Sequence, residues 1–475
     1  MKIVKTAKFK ILSHTKSLEP TISIYNKALS FYIEVVQKEW DNLKGLKPKK
    51  QMRLLEQITH KTKRHPNVKY DFDQEFYKFP SYLRRACIME AIGYYSSYDT
   101  NYKRWLAKRE KALQRGKKFY QKPPTLNLRP NSFPVLYKKE VFKKLSEGKA
   151  KIKAYIDNDW KWIEIEYSVK NLHSSKEYRF LGYEEKNPML VRKGKKYFLH
   201  IPYVTSVKLS STPIDNQIVV GVDLGLTKSA VVSAINPSGT VIGRKFINQP
   251  IEKDCLRRKI NRLSKAMRNS GPIKAPNYWR KINNLQKSIT QQTANEIVKF
   301  AVKHNAGVIV FERLGKFKPP KGFYGAKRLR ARLQYWAKRK IQTLTMQKAH
   351  SYGIRVRFVN PKGTSKFAYD GSGEVKRNAK KDICKFPNGK IYHADLNASY
   401  NIGARYFIKE YLKPLPETVR LQVEAKVPSL ADRTSHSLAS LIRLHEALSR
   451  SNGTEALASC MQVREAPAIS AGLVG

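Results

Sequence analysis

The spacing of apolar residues predicts a β-region interrupted by long helices in the N-terminal half of the chain. MKIVKTAKFKI alternates apolar and polar residues and predicts a strand. Apolar residues then recur every three to four positions over about Glu19–Leu43 and about Ser81–Leu106, which predicts two long helices. Alternation returns in KIKAYIDNDWKWIEIEYSV and KKYFLHIPYVTSV. We expect these later strands to pair with the first, so that the helices form an insertion in a small β-domain.

From Gln217 onward, short apolar runs alternate with helical stretches, the pattern typical of an α/β domain. QIVVGVDLG, AGVIVFERL and IRVRFVNP predict strands, and LTKSAVVSAINPSGTVIGRKFI predicts two strands around a turn at 236–239. Helices are expected at about Lys253–Met267 and Tyr278–His304, in ARLQYWAKRKIQTLTMQKAHSYG, and in DLNASYNIGARYFIKEYL.

The last segment, residues 414–475, has a different composition. It contains six Lys or Arg and six Asp or Glu, and it lacks aromatic residues. One helix is predicted, at about Ser435–Leu448. We expect the segment to be largely disordered or loosely attached, because it is net neutral, contains only one predicted helix and lacks aromatic residues.

The net charge indicates a polyanionic partner. The 475 residues include 93 Lys or Arg against 37 Asp or Glu, a formal charge of +56 that lies in residues 1–413. Repulsion of this size costs stability unless a partner neutralises it, and nucleic acid is the usual partner. A merely soluble basic protein and a ribosomal-type RNA binder fit the charge as well, since charge alone says nothing about catalysis.

The cysteines and the apolar segments exclude two classes of protein. Cys87, Cys255, Cys384 and Cys460 are scattered without paired spacing, so we expect a reducing compartment rather than a disulfide framework. The N-terminus lacks the apolar core of a signal peptide, and no run of about twenty apolar residues predicts a membrane span.

Three carboxylates lie at the edges of apolar runs that are far apart in the sequence. Asp223 follows VVGV next to Gly225, Glu312 follows VIVF, and Asp395 precedes an amphipathic helix. Taken singly, each has an ordinary explanation, such as a helix N-cap for Asp395 or an ion pair with Arg313 for Glu312. Taken together and in this order, they fit an RNase H-like sheet with acids from its first and fourth strands and from a later helix.

Such a set of acids in so basic a chain indicates a metal-dependent nuclease. Two divalent ions about 3.5–4 Å apart activate a water and stabilise the leaving oxygen of a phosphodiester. Mg²⁺ prefers hard oxygen ligands, whereas no histidine flanks Asp223 or Glu312. His393, two residues before Asp395, is a candidate ligand or phosphate contact. We therefore expect the three acids to be catalytic and to bind one or two Mg²⁺ ions.

The same motifs carry a resemblance to a known family. GVDLG, VFERL and ADLNASYNI resemble the three RuvC motifs of TnpB, the nuclease family of bacterial insertion sequences that is similar to type V CRISPR effectors. PSYLRRACIMEAIGYYSSY resembles a recognition-lobe helix of that family, and VNPKGTS resembles the stretch before its zinc ribbon. The resemblance covers about residues 1–413. It implies a guide RNA and double-stranded target DNA as partners, cleavage beside a short flanking motif, and a bacterial, nucleoid-associated cytoplasmic protein.

The resemblance also implies the fold class, a multidomain α+β protein. A β-barrel wedge domain with an inserted helical recognition domain would precede an RNase H-like RuvC domain with a ribbon insertion. The expected boundaries are 1–15 for the first wedge strand, 16–120 for the recognition domain, 121–213 for the wedge domain, 214–413 for the RuvC domain, about 361–392 for the ribbon and 414–475 for the tail. Since the tail follows the last catalytic helix, we expect it to be dispensable for cleavage.

The ribbon departs from the family pattern. Its two CxxC pairs would fall near Ala368 and Gly371 and at Cys384 and Pro387, where only Cys384 is a cysteine. One thiolate cannot replace the four N or S ligands of a structural zinc, so no structural zinc is expected. The segment would instead be degenerate and mobile, or held by packing of its aromatic residues.

Basic residues on the predicted helices are expected to contact nucleic acid. Arg84 and Arg85 lie beside aromatic residues on the second long helix, an arrangement that suits backbone contacts and base stacking. The remaining candidates lie on or beside helices of the α/β region: Arg257, Arg258, Arg262, Arg280, Lys281, Arg328, Arg330 and Arg332.

Several other functions fit parts of this pattern. A guided DNA-binding protein with weak or no cleavage would fit the loss of the ribbon cysteines, although the intact acids argue against it. An unguided RuvC-like resolvase or transposase and a non-catalytic RNA-binding protein are further alternatives. A guide derived from a CRISPR array fits as well as one from a transposon end, and both a monomer and a dimer on the RNA remain open.

Overall fold

A computed structural model of the chain describes residues 1–63, 65–169, 182–271, 275–314, 337–379 and 382–451. The chain divides into two compact units, one of residues 2–206 and one of Met1 with residues 207–475.

The helices of the first unit pack together through their apolar faces. Along α1 (Leu18–Leu43), Tyr25, Leu29, Tyr32 and Val36 recur at helical spacing and are all buried, which explains why this segment forms a helix with one buried face. This face packs against α4 (Ser81–Leu113) within a single apolar core. The helices are α1 (Leu18–Leu43), α2 (Pro48–Thr59), α3 (Phe72–Glu75) and α4 (Ser81–Leu113).

Two separate sheets complete the first unit. One contains β1 (Lys2–Lys10), β5 (Glu184–Glu185), β6 (Met189–Lys193) and β7 (Lys196–Ser206), and the other contains β2 (Phe142–Ser146), β3 (Lys149–Ile156) and β4 (Asp159–Glu166). β1 pairs antiparallel with β7 along its whole length, as the alternation at both ends of this region predicts. The prediction of a β-barrel is not confirmed, because the strands of the described residues form two open sheets rather than a closed one.

The second unit is built on a five-stranded mixed sheet. Its strands are β8 (Val219–Asp223), β9 (Ala230–Ile235), β10 (Val241–Ile247), β11 (Val308–Glu312) and β12 (Arg355–Val359), in the spatial order β10-β9-β8-β11-β12. β8, β9 and β10 pair antiparallel, whereas β11 runs parallel to both β8 and β12. This order places the first strand of the sheet, β8, directly beside its fourth, β11.

Helices cover both faces of this sheet, which explains the continuous apolar runs of its central strands. Val220 and Ile309 pack with α6 (Pro276–Lys303) and α7 (Lys338–His350). Val219 and Val308, which alternate with them along the strands, pack with α8 (Ala394–Leu412) and α10 (Leu438–Ser451). The helices are α5 (Pro250–Ser270), α6 (Pro276–Lys303), α7 (Lys338–His350), α8 (Ala394–Leu412), α9 (Glu417–Lys426) and α10 (Leu438–Ser451).

The expectation of a disordered or loosely attached tail is wrong for residues 414–451. α9 and α10 pack in the same apolar cluster as α8 and the sheet. The buried apolar positions of α10 are Leu438, Leu441, Leu444 and Leu448, three or four residues apart. Net neutrality and the lack of aromatic residues did not prevent folding, because this leucine stripe supplies the apolar face that α10 buries.

The ribbon is a small three-stranded antiparallel sheet of β13 (Lys376–Arg377), β14 (Ile383–Lys385) and β15 (Ile391–His393). Ala368, Cys384, Phe386 and Ala394 form a small buried cluster beneath it, with Tyr369 packed against them.

In the part of the chain that the structure describes, no helix has the length and apolarity needed to span a bilayer.

Candidate functional site

The central strands bring the first two acids to the same edge of the sheet. β8 and β11 are parallel neighbours, with Val222 paired to Phe311, so Asp223 and Glu312 are the next residues on adjacent strands. Neighbouring strands lie about 4.8 Å apart, which places the two Cα atoms close together. Both side chains are half-buried.

Helix α8 brings the third acid to this edge. It crosses β8 so closely that a Cβ on Gly221 would lie 2.2 Å from the Ser399 carbonyl oxygen and 2.8 Å from the Gly403 nitrogen. Asp223 lies two residues beyond Gly221, on the same face of the strand, and Asp395 lies one helical turn before Ser399. A Cβ on Gly225 would lie 3.9 Å from Oδ2 of Asp395, so the loop after β8 reaches that carboxylate.

The three carboxylates share one electrostatic environment. Burial raises the pKa of Asp223 well above its ordinary value, and the negative charges of Glu312 and Asp395 raise it further. Burial likewise raises the pKa of Glu312 and of Asp395. A buried carboxylate whose ionisation is opposed by two further acids is one that a bound cation would stabilise.

Neighbouring side chains oppose these shifts. The Thr364 hydroxyl donates a hydrogen bond to Glu312 and, together with the charge of Arg405, limits the rise of the Glu312 pKa. Arg377 on the ribbon lowers the pKa of both Asp223 and Asp395. Thr364, Arg377 and Arg405 were not among the residues predicted from the sequence. Thr364 lies in the VNPKGTS motif, and Arg405 continues a polar stripe, four residues after Asn401, on an otherwise apolar helix.

The ordinary explanations for single acids fail where they can be tested. Asp395 is the second residue of α8, and no side chain caps the N-terminus of that helix. Within the described residues Glu312 forms no ion pair with Arg313, and its hydrogen-bond partner is Thr364. His393 faces the Phe246 ring, with centroids 4.8 Å apart, and is near enough to lower the pKa of Asp395.

The donor set fits a hard divalent cation, although the site is not a compact cage. Among the described residues, no group of three or more His, Cys, Asp and Glu side chains is close enough together to hold a metal ion. The three converging side chains nevertheless offer only carboxylate oxygens, the ligands that Mg²⁺ prefers. Burial is the main cause of their raised pKa values, and a bound cation would favour the ionised form of all three carboxylates.

Cys384 belongs to the packing of the ribbon. Burial raises the pKa of its thiol, and its Sγ atom lies 3.4 Å from the Tyr392 carbonyl oxygen, to which it donates. Ala368, where the first cysteine pair would begin, is fully buried in the same cluster. Apolar packing thus holds this part of the ribbon, and the expectation that no zinc is bound stays a prediction.

The prediction that Arg84 binds nucleic acid is wrong. Its side chain is only 6% exposed and faces two acids, Glu56 at 3.6 Å and Asp73 at 3.9 Å, so it is a buried structural cation. Helical spacing could not show this, because Glu56 and Asp73 come from two other helices. Arg85 is 45% exposed and pairs with Glu56 at 2.9 Å, which leaves it partly available to a phosphate.

The predicted cations of α5 and α6 lie on exposed surface: Arg257, Arg258, Arg262, Arg280 and Lys281. Arg257 also borders a groove of about 580 Å³ between α5, α6 and α7, and Gly225 lines the same groove. The groove therefore opens beside the loop that follows Asp223. Arg328, Arg330 and Arg332 lie outside the described residues.

Two family models match the chain. Residues 5–156 match the Aq_aa04 family, and residues 339–402 match the family described as Cas12f1-like, TNB domain. The second match contains the ribbon and Asp395.

Two related proteins align with this chain over most of their own length. A TnpB-like protein, aq_aa05 of Aquifex aeolicus (strain VF5), is 27% identical over 241 residues, which cover 46% of this chain and 78% of the relative. The uncharacterized protein aq_aa04 of the same strain is 31% identical over 140 residues, 26% of this chain and 78% of the relative.

A solved structure is also similar. The Cas12f1 chain of a cryo-EM complex with single-guide RNA and target DNA aligns over 85% of this chain and 99% of its own, with 14% identity and a TM-score of 0.44.

Proposed function

Because the chain belongs to the Aq_aa04 family and to the TnpB family, we propose that it is an RNA-guided DNA endonuclease of the RuvC type. Its partners would be a guide RNA and double-stranded DNA with a short flanking motif. Base pairing would read the sequence, and the protein would read backbone and motif. The observation that supports this proposal best is the convergence of Asp223, Glu312 and Asp395 at one edge of an RNase H-like sheet.

The three acids would hold Mg²⁺, which when bound activates a water and stabilises the leaving oxygen of the phosphodiester. The chain's own residues do the rest. β8, β11 and α8 fix the three carboxylates, and Thr364 orients that of Glu312. Arg377 supplies positive charge beside two of the acids, where a phosphate would approach. The exposed cations of α5 and α6 would bind nucleic-acid backbone beside the groove.

The first test identifies the guide. RNA that copurifies with the protein should be a discrete structured species with one variable end, and its sequence then defines a matched DNA target. Bulk ribosomal fragments in its place would favour a non-catalytic RNA-binding protein. An unguided resolvase or transposase would cut DNA without regard to the match between RNA and target.

The second test separates cleavage from binding. Asp223→Asn, Glu312→Gln and Asp395→Asn each remove one negative charge but no phosphate contact. We expect each to abolish Mg²⁺-dependent cleavage while leaving guide and DNA binding intact. Glu296→Gln, an acid of α6 paired with Lys245 at 2.7 Å, is the matched control and should cut normally. Guided binding without cleavage by the unmodified protein would identify the alternative, a guided DNA-binding protein.

The raised pKa of Asp223 adds a readout that does not depend on cleavage. A raised carboxyl pKa means that ionisation opposes folding, so stability falls as pH rises from the ordinary carboxyl pKa through the raised one. At neutral pH and without divalent ions, Asp223→Asn should therefore melt at a higher temperature than the unmodified protein. Mg²⁺ should raise the melting temperature of the unmodified protein and have less effect on the variant.

A further inference from the structure

The loop between β12 and the ribbon carries a buried hydroxyl directly against Glu312. Thr364 is 1% exposed, and its Oγ1 donates to Oε1 of Glu312 and lies 3.0 Å from the Pro361 carbonyl oxygen. A hydroxyl has one proton, and an ionised carboxylate is the stronger acceptor. The hydrogen bond to Glu312 therefore fixes one oxygen of that carboxylate whenever Glu312 is charged.

The position of Thr364 depends on α8. The side-chain amide of Asn401 donates to the carbonyl oxygens of Thr364 at 3.0 Å and of Phe367 at 2.9 Å. The side-chain oxygen of Asn401 accepts a hydrogen bond of 3.1 Å from the backbone N–H of Leu438, the first residue of α10. One fully buried side chain thus joins the loop to the C-terminal segment.

Arg405 makes the same connection a turn later. Its guanidinium is 4% exposed and donates to four backbone carbonyl oxygens, two in the loop and two in the C-terminal segment. Those acceptors are Asn360 at 2.9 Å, Lys362 at 2.7 Å, Thr434 at 2.6 Å and His436 at 3.0 Å. The fork geometry of arginine suits this role, because a lysine could not reach two segments at once.

The loop and the C-terminal segment also touch directly. Gly363 has a φ of +83°, and a Cβ at this position would lie 2.1 Å from the Thr434 carbonyl oxygen. Only glycine fits between the two backbones. Loop 360–364 is therefore enclosed between Glu312, α8 and residues 434–438.

We propose that Thr364 is a positioning residue for the Glu312 carboxylate, and that residues 434–438 of the C-terminal segment hold Thr364 in place through Arg405 and Asn401. The proposal deepens the proposed function, since it rests on Glu312 as a cation ligand. It makes the C-terminal segment part of the support of the candidate site.

Thr364→Val tests the first part, because it removes the hydroxyl and keeps the shape. Mn²⁺ serves as the probe, and its binding to the full-length protein is measured by electron paramagnetic resonance, with Glu312→Gln as the background. Loss of a group that orients a metal ligand typically costs about 10- to 100-fold in affinity or activity. We expect a loss of this size in Mn²⁺ affinity and in guided cleavage, unchanged nucleic-acid binding, and recovery in Thr364→Ser.

Thr345→Val is the matched control. Thr345 is fully buried in α7, and its Oγ1 has no hydrogen-bond partner within the described residues, so the same change there should alter neither readout. Should Thr364→Val fail to fold, Thr364→Ala compared with Thr364→Ser applies the same test without added bulk.

Gly363→Ala tests the second part, since it forces loop 360–364 away from Thr434 without touching Glu312. A folded variant should lose Mn²⁺ affinity and cleavage together. If Thr364→Val binds Mn²⁺ as tightly as the unmodified protein, the positioning role of Thr364 is overturned. If folded Gly363→Ala does so, the support of Thr364 by residues 434–438 is overturned. If the unmodified protein cuts no guided DNA but Thr364→Val weakens Mn²⁺ binding, the proposed function fails and the positioning role stands.

Discussion

Gly221 is the position where one methyl group should damage both the fold and the candidate site. It lies in the middle of β8, where α8 crosses the strand with backbone against backbone. Gly221→Ala places a Cβ 2.2 Å from the Ser399 carbonyl oxygen, whereas ordinary van der Waals contact begins at 3.4 Å. Neither backbone can rotate away as a side chain could, so α8 must move off the strand by roughly 1 Å.

The size of the effect follows from that displacement. Overpacking a close-packed interior costs about 1–3 kcal/mol and occasionally more, and a contact between two backbones belongs at the upper end, about 3 kcal/mol. Asp395 lies on α8 one turn before Ser399, so its carboxylate moves with the helix relative to Asp223. A displacement of about 1 Å in a catalytic constellation costs roughly 100-fold in rate.

Gly243→Ala is the matched control in the same unit. Its Cβ would meet the His304 ring, with the nearest atom at 2.5 Å, but that imidazole is a half-buried side chain that can turn aside. Urea unfolding and the rate of guided cleavage are measured for both variants. We expect Gly221→Ala to lose stability and rate together, and Gly243→Ala to lose little of either.

The outcome that refutes this reasoning is equally definite. A Gly221→Ala protein with the stability of the unmodified chain would show that α8 does not press on β8 as described. Lost stability with full cleavage at a temperature where the variant is folded would show that Asp395 is not positioned by this crossing.

Three further predictions concern other parts of the chain. Arg84→Ala should destabilise the N-terminal unit by roughly 1–3 kcal/mol, because it removes a buried side chain that lies between Glu56 and Asp73, whereas Arg85→Ala should cost under about 1 kcal/mol in thermal or urea unfolding. Ending the chain at Lys413 exposes the apolar surface that α9 and α10 cover and should cause aggregation and loss of cleavage, so an active, stable truncated protein would contradict the packing described. Leu441→Ala alone should lower the free energy of unfolding by about 3 kcal/mol. Four exposed cations of α5 and α6 can be replaced together by Gln: Arg257, Arg258, Arg262 and Arg280. The change should lower the salt dependence of duplex binding by roughly 0.9 unit of slope per lost phosphate contact, and an unchanged slope would identify a solvated basic face.

The sequence alone determined the elements that carry the acids. A buried strand is a continuous apolar run, and a helix repeats its apolar positions every three to four residues, so β8, β11 and α8 are visible from local pattern. Asp223, Glu312 and Asp395 lie at the ends of these elements, which is why they could be named before any contact was known.

Which side chains meet depends on the tertiary structure. Arg84 and Arg85 are adjacent in one helix and equally basic, yet one is buried between acids from two other helices and the other is half-exposed. The same holds for Thr364, whose neighbour Glu312 lies 52 residues earlier in the chain. Such contacts depend on how elements pack across long separations in sequence, and no local period encodes them. For α10, the helix was predicted from the sequence, but its burial was not. The leucines of α10 are buried because the fold brings them against α8 and the sheet.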